Sequence, residues 1–331
     1  MTITEAPPVT RPAGRRRMVW TGLVWVSLVP VAIWLVARTL GWSAGFWVQL
    51  LAFTPYVAVW SLVSVLAALA TRRWAAAAVA AVIALGFALA TVPRVIPDGD
   101  KGPSTGVELR VMTSNMLFGG ADAAEIVRLV RENQVDVLAV QEFTEKAQQA
   151  LTAAGLDRLL PFNQLAPEWG ASGSGLYSRY DFADQSADRN DGEFQQAHAV
   201  VQVPGAGTVY VESVHPLAPA TRDMVPGWSA DLAAQVPAEG GVPKILMGDF
   251  NATLDHKQLR DLIDTGYHDA ADTVGKGWIP TWGPFDGDPI PPVTIDHVLA
   301  DDRIGVKDVR VHSVKDSDHR AVIAWLTLPA S

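Results

Sequence analysis

Hydrophobic residues are concentrated in the first part of the chain. Residues 18–92 carry almost no charge, and three stretches there (18–40, 45–70 and 74–92) approach or exceed the roughly 20 apolar residues that cross a bilayer. The third stretch is mostly alanine and is the weakest candidate. A cleavable signal peptide is the alternative for the first stretch, but its apolar core exceeds the roughly 7 to 15 residues of a signal sequence and a second stretch follows. The pattern predicts three transmembrane helices.

Beyond residue 107, strand-like runs alternate with helical patterns. The predicted strands are 108–114, 135–140, 175–178, 197–203, 208–214, 242–247, 293–300, 306–314 and 321–328, and the predicted helices are 121–133, 145–154, 222–235 and 257–265. This combination predicts an α/β fold with two packed sheets flanked by helices. Because residues 97–103 are rich in proline and glycine, we divide the chain into a membrane anchor (1–97), a linker (98–106) and a globular domain (107–331).

Charge separates the same two parts of the chain. Residues 1–97 contain eight arginines and one acidic residue, a net charge of +7; the whole chain carries −9, so the remainder carries −16. Arginines precede the first stretch and lie between the second and third, which places both regions in the cytoplasm by the positive-inside rule. Three crossings then make this a multi-pass cell-membrane protein with an extracytoplasmic globular domain. If the third stretch did not insert, that domain would face the cytoplasm.

Composition also excludes some chemistry. The chain has no cysteine, so disulfides, thiolate metal sites and cysteine nucleophiles are excluded. An acidic globular domain lacks the general attraction to phosphate backbones that supports nucleic-acid binding.

Six short polar islands interrupt the globular domain, and several directly follow predicted buried strands. They contain Asn115, Glu142, His215, Asp249 with Asn251, Asp296, and Asp318 with His319. Loops at strand ends are open to ligands while the strands hold them still, so an active site is predicted there. Hydrolysis of a phosphate ester needs charge neutralisation and an oriented water, which oxygen-ligated divalent cations and acid/base groups provide.

Two of the predicted roles concern the metal and the attacking water. Glu142, with Asn115 and Asp318, is the predicted metal-binding set for Mg2+, or Mn2+ in its place; a solvated loop carboxylate is the alternative for Glu142. Asp249 and Asn251 are two residues apart, so on an extended segment both would point toward water and phosphate. A turn capped by these side chains is the alternative.

The role predicted for each histidine depends on the residues near it in the sequence. His319 is the predicted acid/base group, since imidazole changes charge near neutral pH, and Asp296 is its predicted orienting carboxylate. His215 could contact a phosphoryl oxygen or protonate the leaving group, or could simply pack its loop. A surface or structural role is predicted for the other histidines: His198, His256, His268, His297 and His312.

The ordered islands resemble the endonuclease/exonuclease/phosphatase superfamily, which includes DNase I-like nucleases, abasic-site endonucleases, neutral sphingomyelinases and inositol polyphosphate 5-phosphatases. The resemblance covers about residues 107–328 and rests on order, spacing and strand context. It implies a four-layer α/β sandwich with Mg2+ near Glu142 and Asn115, Asp249 and Asn251 acting on water and phosphate, and an Asp296–His319 pair. With three spans in front, the architecture is similar to actinomycete membrane proteins associated with teicoplanin resistance (the VanJ type).

Location and chemistry together predict a membrane-anchored, Mg-dependent phosphoesterase. Its expected partners are the lipid bilayer and a phosphorylated lipid or lipid-linked cell-wall intermediate such as a polyprenyl pyrophosphate, without nucleic acid or an obligate protein partner. Four loop aromatics, Trp169, Trp278, Trp282 and Phe285, could rest on lipid or could pack within loops. The alternatives are a surface-bound nuclease, a phospholipid or sphingomyelin phosphodiesterase, and a non-catalytic binding protein for a wall precursor or antibiotic.

Overall fold

The chain forms two compact units in a computed structural model that describes residues 13–99, 102–283 and 289–330. One unit contains the chain up to Ala37 together with Pro55–Ala90, and the other contains Arg38–Thr54 together with the chain from Thr91 onward. Arg11, Asp100 and Lys101 of the expected linker, and Phe285 lie outside the described residues.

The N-terminal apolar region contains four helices: α1 (Ala13–Leu40), α2 (Trp47–Leu51), α3 (Thr54–Ala70) and α4 (Trp74–Thr91). Among the described residues, Met18–Leu40 and Trp74–Val95 are helices long and apolar enough to cross a membrane, and α3 is a shorter apolar helix of 17 residues. Three transmembrane helices are therefore not confirmed. The predicted stretch 45–70 is not a single helix, because the chain turns after α2 and begins α3 at Thr54.

Small side chains allow the helices of the first unit to pack closely. Ala76, Ala77 and Ala80 of the alanine-rich α4 are buried in the cluster that joins the helices. A Cβ atom on Gly86 would lie 2.6 Å from a methyl carbon of Leu35. Close approach through small residues is typical of membrane helices. The alanine content that weakens this stretch as a sequence signal thus has a packing role.

The described residues of the second unit form twelve strands in two six-stranded sheets. The strands are β1 (Val107–Asn115), β2 (Val137–Gln141), β3 (Phe162–Ala166), β4 (Ser174–Ser178), β5 (Phe182–Arg189), β6 (Gln195–Val203), β7 (Gly207–Val214), β8 (Lys244–Asp249), β9 (Tyr267–Asp269), β10 (Asp296–Asp301), β11 (Gly305–Ser313) and β12 (Arg320–Leu328). The strand orders are β11-β12-β1-β2-β4-β3 and β5-β6-β7-β8-β10-β9. Both sheets are mixed, since β1 pairs with β2 and β7 with β8 in parallel, while the other pairs are antiparallel.

Alternation along the strands builds the layers. Leu109 and Val111 of β1 face the other sheet, whereas Met112 points to the opposite side, where helices cover it. The covering helices are α5 (Ala123–Glu132) and α6 (Glu145–Ala153) on the first sheet, and α7 (Val225–Ala233) and α8 (Lys257–Ile263) on the second, with the short α9 (Ala270–Thr273) beside the core. The predicted α/β sandwich of two packed mixed sheets flanked by helices is confirmed.

Residues 41–53, which we call the interhelical segment, pack on the sandwich. Gly41 ends α1 with a φ of +67°, a conformation that glycine adopts without strain. Val48 of α2 is buried in the same cluster as Trp228 and Phe250. The ring of His256 joins the two parts: Nε2 donates to the Val48 carbonyl oxygen at 2.7 Å, and Nδ1 accepts from the Thr253 N–H at 2.8 Å.

A buried carboxylate strengthens this attachment. The side chain of Asp255 is fully buried and binds two guanidinium groups, Arg38 at 2.6 Å and Arg94 through two bonds of 2.8 and 2.7 Å. Burial alone would raise the pKa of Asp255, but Arg94 and Arg38 outweigh burial and hold that pKa below its ordinary value. Paired charges of this kind tolerate burial only while both signs are present.

We expect Asp255→Asn to lower the free energy of unfolding by about 3 kcal/mol, because it leaves two buried guanidinium groups without a counter-charge. Urea denaturation of the full chain in detergent micelles measures this. The matched control is Asp261→Asn on α8. Asp261 pairs with the exposed Lys257, so this substitution should lower the free energy of unfolding by less than about 1 kcal/mol.

The same pair of proteins tests the pH dependence. A carboxylate with a depressed pKa in the folded state stabilises the fold above its unfolded pKa and loses that contribution as the pH falls through its folded pKa. The stability difference between wild type and Asp255→Asn should therefore be full at pH 7 and shrink below about pH 4. A difference that stays constant down to pH 2 would contradict the proposed ion pair.

Candidate functional site

Six strand ends meet at one end of the sandwich. Parallel pairing brings together the carboxyl ends of β1 and β2 in one sheet and of β7 and β8 in the other, and their antiparallel neighbours β12 and β10 begin there. These ends carry, in chain order, Asn115, Glu142, His215, Asp249, Asp296 and His319. Asp296 lies directly opposite Asp249 in the register of β10 and β8.

Asp249 lies at the centre of the group. Its Oδ2 accepts a hydrogen bond from Asn115 Nδ2 at 3.1 Å and lies 3.7 Å from His215 Nε2 and 3.6 Å from His319 Nε2. Burial, with Asp296 nearby, raises the pKa of Asp249, although His319 opposes this. The preceding Gly248 is required by space, since a Cβ atom there would lie 1.9 Å from the Val214 carbonyl oxygen.

His319 and Asp296 form a buried pair. His319 Nδ1 lies 3.1 and 3.0 Å from the two carboxylate oxygens of Asp296, whose backbone N–H donates to Thr281 Oγ1 at 3.0 Å. Burial alone would lower the pKa of His319, but Asp296 and Asp249 raise it. The pair fixes the ring so that Nε2 faces Asp249.

Glu142 is held in a strained turn after β2. Its φ of +52° is unusual for a residue with a side chain, and such conformations persist where the surroundings hold them. Oε1 accepts from Asn115 Nδ2 at 3.1 Å, and Oε2 accepts from the Phe118 N–H at 2.7 Å. Burial raises the pKa of Glu142. The amide N–H groups of Asn115 thus connect Glu142 with Asp249.

The extended geometry predicted for Asp249 and Asn251 is wrong. Asn251 has a φ of +49°, so the chain leaves the strand direction after Asp249. Asp249 Oδ1 accepts from the Asn251 N–H at 2.8 Å, which is the capped turn that the alternative described, and Asn251 Nδ2 donates to the Pro216 carbonyl oxygen at 3.1 Å. Both residues still line one cavity, because the turn folds Asn251 back toward the loop after His215.

His215 is buried beside Asp249, which is its one acidic partner among the described residues. Its ring stacks on Phe194 with the ring centres 4.9 Å apart. Burial, with the charge of His319, lowers the pKa of His215 to about 3, so the ring is neutral at physiological pH. A neutral imidazole can donate one hydrogen bond and accept another.

Asp318 completes the rim. Its Oδ2 accepts from Trp282 Nε1 at 2.9 Å, and its buried Oδ1 has no hydrogen-bond partner among the described residues. This oxygen lies 3.9 Å from His319 Nε2 and lines the same cavity as Glu142, and carboxylate oxygens are the ligands that suit a hard cation. Four carboxyl groups lie at this end of the sandwich, and no lysine or arginine is among the described residues that line the cavity. The residues therefore fit a divalent cation held by Glu142 and Asp318, with Asn115 supporting Glu142.

A second grouping could also bind a metal ion. One ligand atom from each of Asp249, Asp296 and His319 lies within 4.8 Å of the others, and all three residues are buried. A metal there would replace the hydrogen bond between His319 and Asp296. The two arrangements share one end of the sandwich and make different predictions for Glu142 and Asp296.

The site opens into a cavity of about 500 Å3 and an adjoining groove of about 860 Å3. Phe118, Ala171 and Phe194 line both spaces. The groove is aromatic but not basic: its charged lining residues are Lys146 against two glutamates, Glu145 and Glu168.

The loop aromatics have different environments. Trp169 is 96% exposed beside the groove, whereas Trp278 donates to the Thr91 carbonyl oxygen and Trp282 donates to Asp318. Three other histidines are buried and structural: His256 binds the interhelical segment, His297 pairs with Asp269 at 2.6 Å, and His268 lies 3.3 Å from Asp302. Phe194 and Thr281 have no role predicted from the sequence, and residues 45–53 of the interhelical segment are predicted there as part of a membrane span, because their observed roles depend on contacts between residues far apart in the chain.

The comparisons with known proteins concern the second unit. The model of the Endonuclease/Exonuclease/phosphatase family matches residues 112–319. No curated protein matches the chain. An endonuclease/exonuclease/phosphatase from Beutenbergia cavernae DSM 12333 is 21% identical with a TM-score of 0.55, covering 67% of this chain and 72% of that chain.

Two structures of D. rerio TDP2 are also similar. The humanized form with 14 mutations has 14% identity and a TM-score of 0.55, and the form complexed with single strand DNA product has 14% identity and a TM-score of 0.54; each match covers 66% of this chain and 99% of that chain. At these identities the likeness concerns the fold. Since the family model matches well over half of this chain and includes all six polar islands, the protein belongs to the endonuclease/exonuclease/phosphatase family of phosphoester hydrolases.

Proposed function

We propose that this protein is a membrane-anchored, Mg-dependent phosphoesterase that hydrolyses a phosphate or pyrophosphate ester of a lipid or lipid-linked cell-wall intermediate, such as a polyprenyl pyrophosphate. The observation that carries the proposal is the shared contact of Asp249 with Asn115, His215 and His319 in a cavity rimmed by Glu142. One carboxylate surrounded by donors at the end of two sheets is suited to orient a water against a phosphoryl group.

Each side chain takes a role that its contacts allow. Asp249 orients and deprotonates the attacking water. His319, held by Asp296, and the neutral His215 donate hydrogen bonds to phosphoryl oxygens, and Asn251 contacts the phosphate from the other side of the turn. A divalent metal, when bound by Glu142 and Asp318, supplies charge neutralisation and stabilises the leaving oxygen.

We expect Asp249→Asn and His319→Ala each to reduce kcat by about a thousandfold, because each removes a group that orients water or stabilises the developing charge. The assay measures hydrolysis by the full chain in detergent micelles, with and without Mg2+, as release of phosphate from the pyrophosphate, of phosphocholine from the two phospholipids, or of shortened oligonucleotides from DNA. Its substrates are a polyprenyl pyrophosphate, sphingomyelin, phosphatidylcholine and single-stranded DNA. Glu132→Gln, an exposed acid at the end of α5 that lines neither the cavity nor the groove, is the matched control and should leave kcat unchanged.

The outcomes separate the alternatives. Cleavage of DNA without hydrolysis of the pyrophosphate would favour the surface nuclease, for which the D. rerio TDP2 complex with single strand DNA product is the supporting observation. The acidic domain and the groove without a basic lining speak against it. Cleavage of sphingomyelin or phosphatidylcholine alone would favour a phospholipid phosphodiesterase. No hydrolysis of any substrate, with full biological activity of His319→Ala, would favour a non-catalytic binding protein.

The metal assignment has its own test. We expect Glu142→Gln to weaken Mn2+ binding, measured by isothermal titration calorimetry, at least about tenfold, since it removes the main carboxylate ligand. Asp296→Asn should bind Mn2+ nearly as wild type does, as should the control Glu132→Gln. The reverse result, with binding lost in Asp296→Asn and kept in Glu142→Gln, would assign the metal to Asp249, Asp296 and His319 instead.

The proposed membrane topology rests on chain connectivity. Arg38–Thr54 and the sandwich belong to one compact unit, so they lie on the same side of a bilayer. The chain between them, which contains α3 and α4, must then cross the bilayer twice or not at all. With arginines before α1 and between α3 and α4 in the cytoplasm, three crossings place the sandwich outside.

Single cysteines test that topology cleanly, because the chain has none of its own. We expect Ala44→Cys and Asp191→Cys to react with a membrane-impermeant maleimide in intact cells, and Thr71→Cys to react only after permeabilisation. Labelling is read by a mass shift of the purified protein. Reaction of Thr71→Cys alone in intact cells would place the sandwich in the cytoplasm.

A role in glycopeptide resistance extends the proposal to the cell wall. It is supported by the similarity in architecture to membrane proteins associated with teicoplanin resistance and by the wall-precursor substrate proposed above. Cells that express His319→Ala instead of the wild type should lose any resistance to teicoplanin that the wild type confers.

A further inference from the structure

The cavity beside the proposed active site is lined by two chemically different surfaces. One is formed by the acids, amides and imidazoles at the strand ends. The other is apolar and includes Val48, Ala52 and Phe53 of the interhelical segment, together with Ile290, Val293 and Ile295 of the loop before β10. Part of the cavity lining thus comes from a segment that α3 and α4 separate, along the sequence, from the other lining residues.

The interhelical segment is held in this position by contacts of its own. Gln49 donates to the Pro219 carbonyl oxygen at 2.5 Å, in the loop that follows His215. His256 donates to the carbonyl oxygen of Val48, and the Asp255 carboxylate binds Arg38 just before the segment. Two of these bonds hold α2 itself, and the third holds the chain just before the segment. Ala52 and Phe53, at the end of α2, therefore have a defined place in the cavity lining.

A catalytic cavity with one polar and one apolar side selects the shape of its substrate. A phosphate group needs the polar side, where candidate donors and acids converge. A small water-soluble ester would leave the apolar side facing water, whereas an apolar chain attached to the phosphate would cover it and gain roughly 25 cal/mol for each Å2 of apolar surface buried. The cavity volume of about 500 Å3 leaves room for such a chain beside the phosphate.

We propose that the interhelical segment is the specificity-determining element of the site, with Phe53 and Ala52 binding the apolar chain of an amphiphilic phosphate ester. The inference rests on the proposed phosphoesterase function. It assigns selection of the apolar chain to a segment outside the residues that the family model matches, and it makes the first helix connection part of the enzyme rather than of the anchor alone.

The experiment compares two pyrophosphates with the same head group, farnesyl pyrophosphate and dimethylallyl pyrophosphate, which differ in the length of the apolar chain. The full chain in detergent micelles with Mg2+ should have a higher kcat/KM for the farnesyl ester. Phe53→Asn should lower kcat/KM for farnesyl pyrophosphate about tenfold, mainly through KM, because a polar side chain replaces an apolar contact. The value for dimethylallyl pyrophosphate should stay unchanged.

Two further variants separate specificity from folding. Phe53→Leu keeps an apolar side chain and should retain most of the preference for the farnesyl ester. Phe46→Asn changes the same residue type in the same segment, but Phe46 is 61% exposed and does not line the cavity, so both substrates should be hydrolysed as by wild type. Unchanged hydrolysis of dimethylallyl pyrophosphate by each variant shows that the catalytic groups remain in place.

The failures of the two proposals are distinguishable. If wild type hydrolyses both pyrophosphates equally well and Phe53→Asn changes neither rate, the specificity role is wrong while the phosphoesterase function stands. An equal loss for both substrates in Phe53→Asn would also overturn the specificity role, since it would indicate a general effect on the fold. If wild type hydrolyses neither pyrophosphate nor any other phosphoester, both proposals fail.

Discussion

The candidate site depends on the contact between the two sheets at one end of the sandwich. Asn115 of the first sheet donates to Asp249 of the second, and His319, which precedes β12 of the first sheet, binds Asp296 of the second. Beneath them, Gln141 Nε2 donates to Ser213 Oγ at 2.9 Å across the same interface. Neither sheet alone contains the set of acids, amides and imidazoles, so the apolar packing between the sheets also determines the geometry of the site.

That arrangement concentrates negative charge where water is largely excluded. Asp249 and Asp296 are buried and adjacent in register, and Glu142 lies one hydrogen-bonded amide away from Asp249. Burial raises the pKa values of Asp249 and Glu142, and cations or hydrogen-bond donors relieve the cost of burying a carboxylate. His319 and the amide of Asn115 supply part of that relief. The remaining negative charge suits a hard divalent cation, which oxygen ligands bind.

Much of the sandwich could be predicted because its central strands are buried on both faces. β2 and β8 contain the apolar runs Val137–Val140 and Ile245–Met247, which end two residues before Glu142 and Asp249, so burial and chemistry are visible in the same few residues. The edge strands β3 and β5 were not predicted, because their side chains are not buried on both faces. β5 is mostly exposed and polar, and its pairing with β6 is made by backbone groups that leave no pattern in the side chains. The turn at Asn251 was only the alternative to an extended segment, because the two depend on local backbone geometry that the residue types do not decide.

The apolar N-terminal region shows a different limit. Hydrophobicity indicates that a side chain avoids water, but it does not distinguish lipid from a protein core. Val48 belongs by composition to the stretch predicted to span the membrane, yet it is buried beside Trp228 and Phe250 of the sandwich. The feature that separates the interhelical segment from the helices on either side is its polar bonding: Arg38, Gln49 and the carbonyl group of Val48 all find partners in the sandwich. These partners lie some 170 to 220 positions away in the sequence. For this reason, only the folded chain reveals that the interhelical segment is also part of a cavity wall.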